Sequence, residues 1–153
     1  MEDKERIYHL AINLLARREH SRVELRTKLR TKLADVAPDS IDFVLQELIT
    51  SNQLSDARFT EAYIRMRSER GYGPSRIHAE LLERGVSDAI IEEYLSLHRT
   101  QESPVDHIEA VRKKRFGPSM PTDLAEQARQ MRFLQYRGFS HELMKQLFRG
   151  FCK

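Results

Sequence analysis

The sequence predicts an all-α fold: a tandem array of three three-helix repeats, elongated and curved. Two observations carry that expectation. Apolar residues recur at helical spacing almost throughout, and no stretch alternates with the period of two that a half-buried strand shows. The chain also resembles itself. Arg84-Gly85-Val86-Ser87 returns as Arg137-Gly138-Phe139-Ser140, and aligning the glycines places Leu81 over Leu134, Ile90 over Leu143, Tyr94 over Leu147 and Leu95 over Phe148. A weaker first copy sets Leu25 and Leu29 over Ile77 and Leu81, and Pro38, Ile41 and Leu45 over Ser87, Ile90 and Tyr94. A period of roughly 45–50 residues is typical of tandem helical arrays. It divides the chain into repeats at 4–51, 52–99 and 104–153.

The elements follow in order. Ile7, Leu10, Ala11, Leu14 and Leu15 stripe a first helix that should stop near His20. Ser21-Arg22-Val23-Glu24 has capping-box spacing and opens a second, carrying Leu25 and Leu29. After a turn at Ala37-Pro38-Asp39, a third buries Ile41, Val44, Leu45 and Leu48. Leu54-Ser55-Asp56 caps a fourth, with Phe59, Ala62, Tyr63 and Met66 inward. Gly71-Tyr72-Gly73-Pro74 breaks it, and Pro74 suits the first position of the next helix, where its missing N–H is harmless. That helix carries Ile77 and Leu81 and ends at Gly85, a left-handed position, before Ser87 caps a sixth. The third repeat has Val105, Ile108 and Val111 on one face, a longer break at Phe116–Pro121, a helix with Leu124, Met131 and Leu134, and a short last helix with Leu143, Leu147 and Phe148. Gly138 takes the same left-handed role as Gly85.

Composition narrows the function classes. The 153 residues are 40% hydrophobic and 32% charged, which suits small shared cores better than one thick one. No apolar run approaches the ~20 residues of a membrane span, and the acidic start Glu2, Asp3, Glu5 is unlike a targeting peptide. The single cysteine, Cys152, forms no internal disulfide, so a reducing, cytoplasmic setting is expected. Net charge is only +3, but it is distributed in blocks. Residues 17–32 hold seven basic side chains against Glu19 and Glu24, and Arg112-Lys113-Lys114-Arg115 is unbroken. Asp39–Ile64 and Glu83–Glu109 are acidic between them. Alternating fields suit a partner of mixed charge, such as protein-coated nucleic acid.

Catalytic constellations are missing from the pattern. Six histidines show no His-x-x-x-His pair and no cysteine near enough for a metal site, so no metal or cofactor is expected. Gly71-Tyr72-Gly73-Pro74 has no strand before it, and Pro74 removes an N–H that a phosphate would need; it reads as a turn. Glu24–Lys28 and Glu80–Arg84 are spaced as helix-supporting ion pairs. Tyr72 and Tyr136 lie near arginines and could stack on bases, but their places beside turn glycines favour packing. No enzyme is expected. The basic rows say more: Arg22, Arg26 and Arg30 form an i+4 ridge with Lys28 on its other side, and Arg112, Lys113 and Lys114 open the second block. Both are candidates for phosphate or an acidic protein surface.

As a set, Arg18-Glu19-His20-Ser21-Arg22-Val23-Glu24-Leu25, Leu54-Ser55-Asp56-Ala57-Arg58-Phe59, Gly71-Tyr72-Gly73-Pro74-Ser75-Arg76-Ile77 with Glu80-Leu81, and Tyr136-Arg137-Gly138-Phe139 resemble the RecX family over nearly the whole chain. The Gly-Tyr-Gly-Pro-x-Arg-Ile block is the specific part. Asn52-Gln53-Leu54 departs from the family's usual Gly-Tyr-Leu, so the turn before the fourth helix is expected to differ. The resemblance implies a monomeric, non-catalytic regulator that binds the RecA recombinase and its filament on single-stranded DNA, with weak direct DNA binding. Such a protein would reduce filament assembly, ATP hydrolysis, strand exchange and coprotease activity in recombination, DNA repair and the SOS response. The rival expectation is a helical-repeat transcriptional regulator, since three-helix units with short turns can mimic a helix-turn-helix. No recognition helix stands out in its favour.

Overall fold

The computed structural model describes residues 2–149; Cys152, with its expected lack of a disulfide, lies outside them. Among the described residues nine α-helices follow one another without a strand: α1 Glu2–Arg17, α2 Arg22–Lys32, α3 Pro38–Thr50, α4 Asp56–Glu69, α5 Pro74–Glu83, α6 Asp88–Gln101, α7 Pro104–Phe116, α8 Leu124–Tyr136 and α9 His141–Leu147. None is long and apolar enough to cross a membrane.

Side chains set most of the starts. The hydroxyls of Ser21, Ser55, Ser87, Ser103 and Ser140, and the Asp123 carboxylate, each accept a backbone N–H in the first turn that follows. Only half of the expected capping box forms at Ser21, because Arg18 takes the Glu24 carboxylate at 3.0 and 2.9 Å. Helix α1 stops at Arg17, short of His20, which is buried instead.

Four ends share one geometry. At Gly71, Gly85 and Gly138 the glycine has positive φ, and its N–H and the next one bond back to carbonyls three and five residues earlier. The fourth is Asn52, with φ 62° and the same two bonds, to Ile49 and Leu48. Asn52 thus takes here the geometry that glycine takes at the other three ends, since asparagine tolerates the left-handed region better than most residues.

Burial corrects the register of the first copy by one residue. Val36, Ile41 and Leu45 are buried, as are Val86, Ile91 and Leu95, and Phe139, Met144 and Phe148. Ala37, not Pro38, thus stands where Ser87 and Ser140 cap. The first copy carries two extra positions between its buried residues Leu29 and Val36, one because α2 has 11 residues against 10 in α5 and one because the turn that follows spans 33–37 against 84–87. Leu124, expected inside, is 76% exposed at the first position of α8, whereas Gln127 and Gln130 are buried.

The chain forms two compact units: residues up to Ala62 with Leu81–Ile91, and Tyr63–Glu80 with Glu92 onward. The first centres on Ile7, Ala11, Leu25, Leu29, Val44, Leu45 and Leu48. The second includes a core of Ile108, Val111, Leu134, Phe139, Met144 and Phe148.

Candidate functional site

The turn glycines act as clamps, once in each unit. In the first, the turn after α5 sits on the start of α2: Ser21 Oγ donates to Arg84 O at 2.7 Å, and a Cβ on Gly85 would fall 2.4 Å from Val23 Cγ2. In the second, the turn after α8 sits on the start of α5. Gly73 N–H donates to Arg137 O (2.7 Å) and Ser75 N–H to Gly138 O (3.1 Å), flanking Pro74, which has no N–H to give. A Cβ on Gly73 would lie 2.6 Å from Gly138 O, and one on Gly138 would lie 2.4 Å from Arg76 Cβ. Gly73, Gly85 and Gly138 are thus required by close approach of chain to chain, and Pro74 opens α5 between two donors without leaving an N–H unpaired.

Around this clamp Tyr72 is enclosed by the guanidinia of Arg67, Arg137 and Arg76, at 3.8, 4.7 and 4.8 Å from its ring centre. Glu80 gathers Tyr63 Oη at 2.9 Å, Arg67 at 2.8 and 2.9 Å and Arg76 at 3.3 Å. Burial acts to raise the Glu80 carboxyl, but the Arg67, Tyr63 and Arg76 donors outweigh it and hold it below its ordinary value. Tyr72 is therefore packing, whereas Tyr136 is 70% exposed, with Arg76 4.8 Å from its ring centre.

The α2 ridge is partly neutralised. Arg26 pairs with Asp42 of α3 at 2.7 Å, and that hydrogen bond holds the Asp42 carboxyl below its ordinary value, with Arg22 and Arg30 adding to the pull. Arg22 and Arg30 carry no carboxylate partner among the described residues. Lys28 is turned away from them: its Nζ lies 3.0 Å from His20 Nε2, while His20 Nδ1 faces Arg18 O at 3.0 Å. Those neighbours fix the imidazole as neutral, Nδ1 donating and Nε2 accepting. Burial pushes the His20 pKa down and outweighs the bond to the Arg18 carbonyl, which acts to raise it; the charges of Arg18 and Lys28 add to the lowering.

The sign follows. The unfolded chain takes up this proton before the folded one does, so His20's contribution is complete above about pH 6.5 and is lost as the pH falls through the lowered folded value. We expect the unfolding free energy of the wild type, minus that of His20→Gln, to decline between pH 7 and pH 5 in denaturant titrations. A flat difference would assign the acid limb elsewhere.

The α7 run divides three ways. Arg112 is 0% exposed, its Nη1 and Nη2 donating to Ser119 O (3.2 Å) and Pro118 O (3.3 Å), so it leaves the set of surface candidates. Helical periodicity explains this, since Arg112 lies four residues after the buried Ile108. Lys113 is paired with Glu109 at 3.2 Å. Lys114, with Arg115, lines a cleft that also holds Arg70 and Arg137, two residues that no spacing in the sequence groups with them.

Comparison with known proteins agrees with this architecture. Residues 8–48, 55–95 and 101–148 match, in order, the family descriptions "RecX, first three-helix domain", "second three-helix domain" and "third three-helix domain". The chain is 41% identical over 140 residues to the Regulatory protein RecX of Pseudomonas fluorescens, covering 92% of this chain and 88% of that one. It is 42% identical over 144 residues to the Regulatory protein RecX of Halorhodospira halophila (strain DSM 244 / SL1), with 92% and 85% covered. The crystal structure of RecX from Lactobacillus salivarius superposes with a TM-score of 0.77 at 22% identity, covering 97% of this chain and 96% of that one, a likeness of fold. Three domain matches in order and curated relatives above 40% identity place this chain in the RecX family of regulatory proteins.

Proposed function

We propose that the protein binds the RecA recombinase in its filament on single-stranded DNA and restrains that filament, reducing its assembly, ATP hydrolysis, strand exchange and coprotease activity. The observation that carries this reading is membership of a regulatory family through all three helical domains. The protein would act without cofactor or catalysis, as a cytoplasmic monomer whose rigid elements present several weak contacts at once. Arg22 and Arg30 are the ridge contacts the reading favours, because they retain uncompensated charge, whereas Arg26 is engaged with Asp42.

The test is RecA ATPase activity on single-stranded DNA with the protein titrated in. Substoichiometric protein should slow hydrolysis, and no inhibition at equimolar protein would sink the proposal. The double variant R22E/R30E should need about tenfold more protein for the same inhibition, as attraction becomes repulsion along one ridge. Its melting temperature should hardly change, since surface substitutions usually fall within about ±0.5 kcal/mol each. Unaltered inhibition by a folded double variant would move the contact off α2.

A further inference from the structure

The cleft of the second unit encloses about 540 Å³, within the range of roughly 300–1,000 Å³ that small-molecule sites occupy. Its cations are Arg65, Arg70, Lys114, Arg115 and Arg137, facing Glu69 and Glu102. Among the described residues, no carboxylate is paired with Arg70, Lys114, Arg115 or Arg137. Elsewhere the protein neutralises such groups: Arg18, Arg26, Arg58, Arg67, Arg76 and Arg129 each hold a carboxylate. Like charges gathered around one concavity repel, and together they form a field that concentrates anions.

Two of the guanidinia are oriented in advance. Arg137 lies 4.9 Å from the Phe133 ring centre and 4.7 Å from that of Tyr72, and its Nη1 donates to Arg70 O at 3.0 Å. Arg115 lies 5.5 Å from the same Phe133 ring and 5.3 Å from Phe116. Stacking fixes their planes before an anion arrives, which lowers the entropic cost of binding. Another wall is apolar, made by Ala110, Val111 and Phe133. A carboxylate-rich peptide would satisfy the cations and leave that wall bare. A nucleotide brings both an anion and a flat, weakly polar body.

We propose that this cleft binds a nucleotide unit, its phosphate held by Arg70, Lys114 and Arg137 and its sugar and base laid against Val111 and Phe133. The unit is either a free nucleotide or one link of a single strand. The site belongs to this chain alone and does not rest on the recombinase reading, so the experiment omits RecA.

Fluorescence anisotropy of the full chain with a labelled oligothymidylate is the measurement. Lys114→Glu should weaken binding by about tenfold or more and reduce the slope of log K against log salt by about 0.7 for each phosphate no longer neutralised. Lys113→Glu makes the same charge change one residue away, on the side paired with Glu109, and should alter affinity less than about twofold. Lys114→Gln, with thermal melts of every variant, separates weakened binding from a damaged fold. Displacement of the strand by ADP would assign the cleft to free nucleotides. Displacement only by unlabelled strand would assign it to a polymer link. Equal weakening by Lys113→Glu and Lys114→Glu, binding of a polyglutamate peptide in preference to both probes, or no binding of either would overturn the proposal.

Discussion

Replacing Gly138 by Val is expected to lower the unfolding free energy by about 3 kcal/mol or more, a large part of the roughly 5–15 kcal/mol that holds a domain folded. Two independent penalties add. The glycine sits at φ +97°, where a β-branched residue is strained by about 1–3 kcal/mol. Its new Cβ would also lie 2.4 Å from Arg76 Cβ and 2.6 Å from Arg76 N, a backbone atom that cannot swing aside as a long side chain can. Relief requires the turn to lift from α5, which stretches the bonds from Gly73 to Arg137 O and from Ser75 to Gly138 O. At about 1 kcal/mol net each, those bonds supply the remainder. Gly117→Ala is the control: φ is +91°, but nothing lies within 4 Å of the added carbon, so strain acts alone. Denaturant unfolding of both variants checks this, and equal losses would show that the clamp contributes nothing.

Arg112→Ala should be nearly as damaging, by about 2–4 kcal/mol, although a charged residue in a basic run would ordinarily be treated as surface. Truncation opens a cavity the length of the side chain and releases the carbonyls of Pro118 and Ser119, which the guanidinium ties to α7. Arg112→Met refills most of the volume with a flexible apolar chain, and removing a buried charge together with its desolvation is often close to neutral. We expect it to recover at least half of the loss in urea melts. If alanine and methionine were equally harmful, the carbonyl bonds would outweigh the packing. If neither mattered, Arg112 would be the surface residue its neighbours suggest.

What the sequence revealed was local. Serine caps, turn glycines and the stripe Leu25, Leu29, Ile77, Leu81 and Leu134 follow from spacing within a single helix, and all five of those residues are buried. What it concealed depends on long side chains reaching between elements. Glu24, spaced for a lysine four residues on, engages Arg18 across the turn before α2, and Glu80, beyond its one-turn neighbour Arg76, holds Arg67 of α4. Asp42, sixteen residues from Arg26, neutralises the middle of a ridge that looks uninterrupted in one dimension. Arg112 could have been found, because its distance from Ile108 is one helical turn; a run of four cations hid the period.

The two clamps bear on how such a chain can be divided or extended. Backbone passes between the compact units after Ala62, Glu80 and Ile91, so the middle copy is shared out between them. A fragment cut between copies, ending near residue 51 or starting near 104, would lose the turn at Gly85 or the helix start at Gly73 that completes its neighbour's surface. By the same reasoning, a copy inserted by gene duplication becomes stable only when its alternate segments find places in different compact units. A stretch that repeats in sequence is therefore not a stretch that folds by itself.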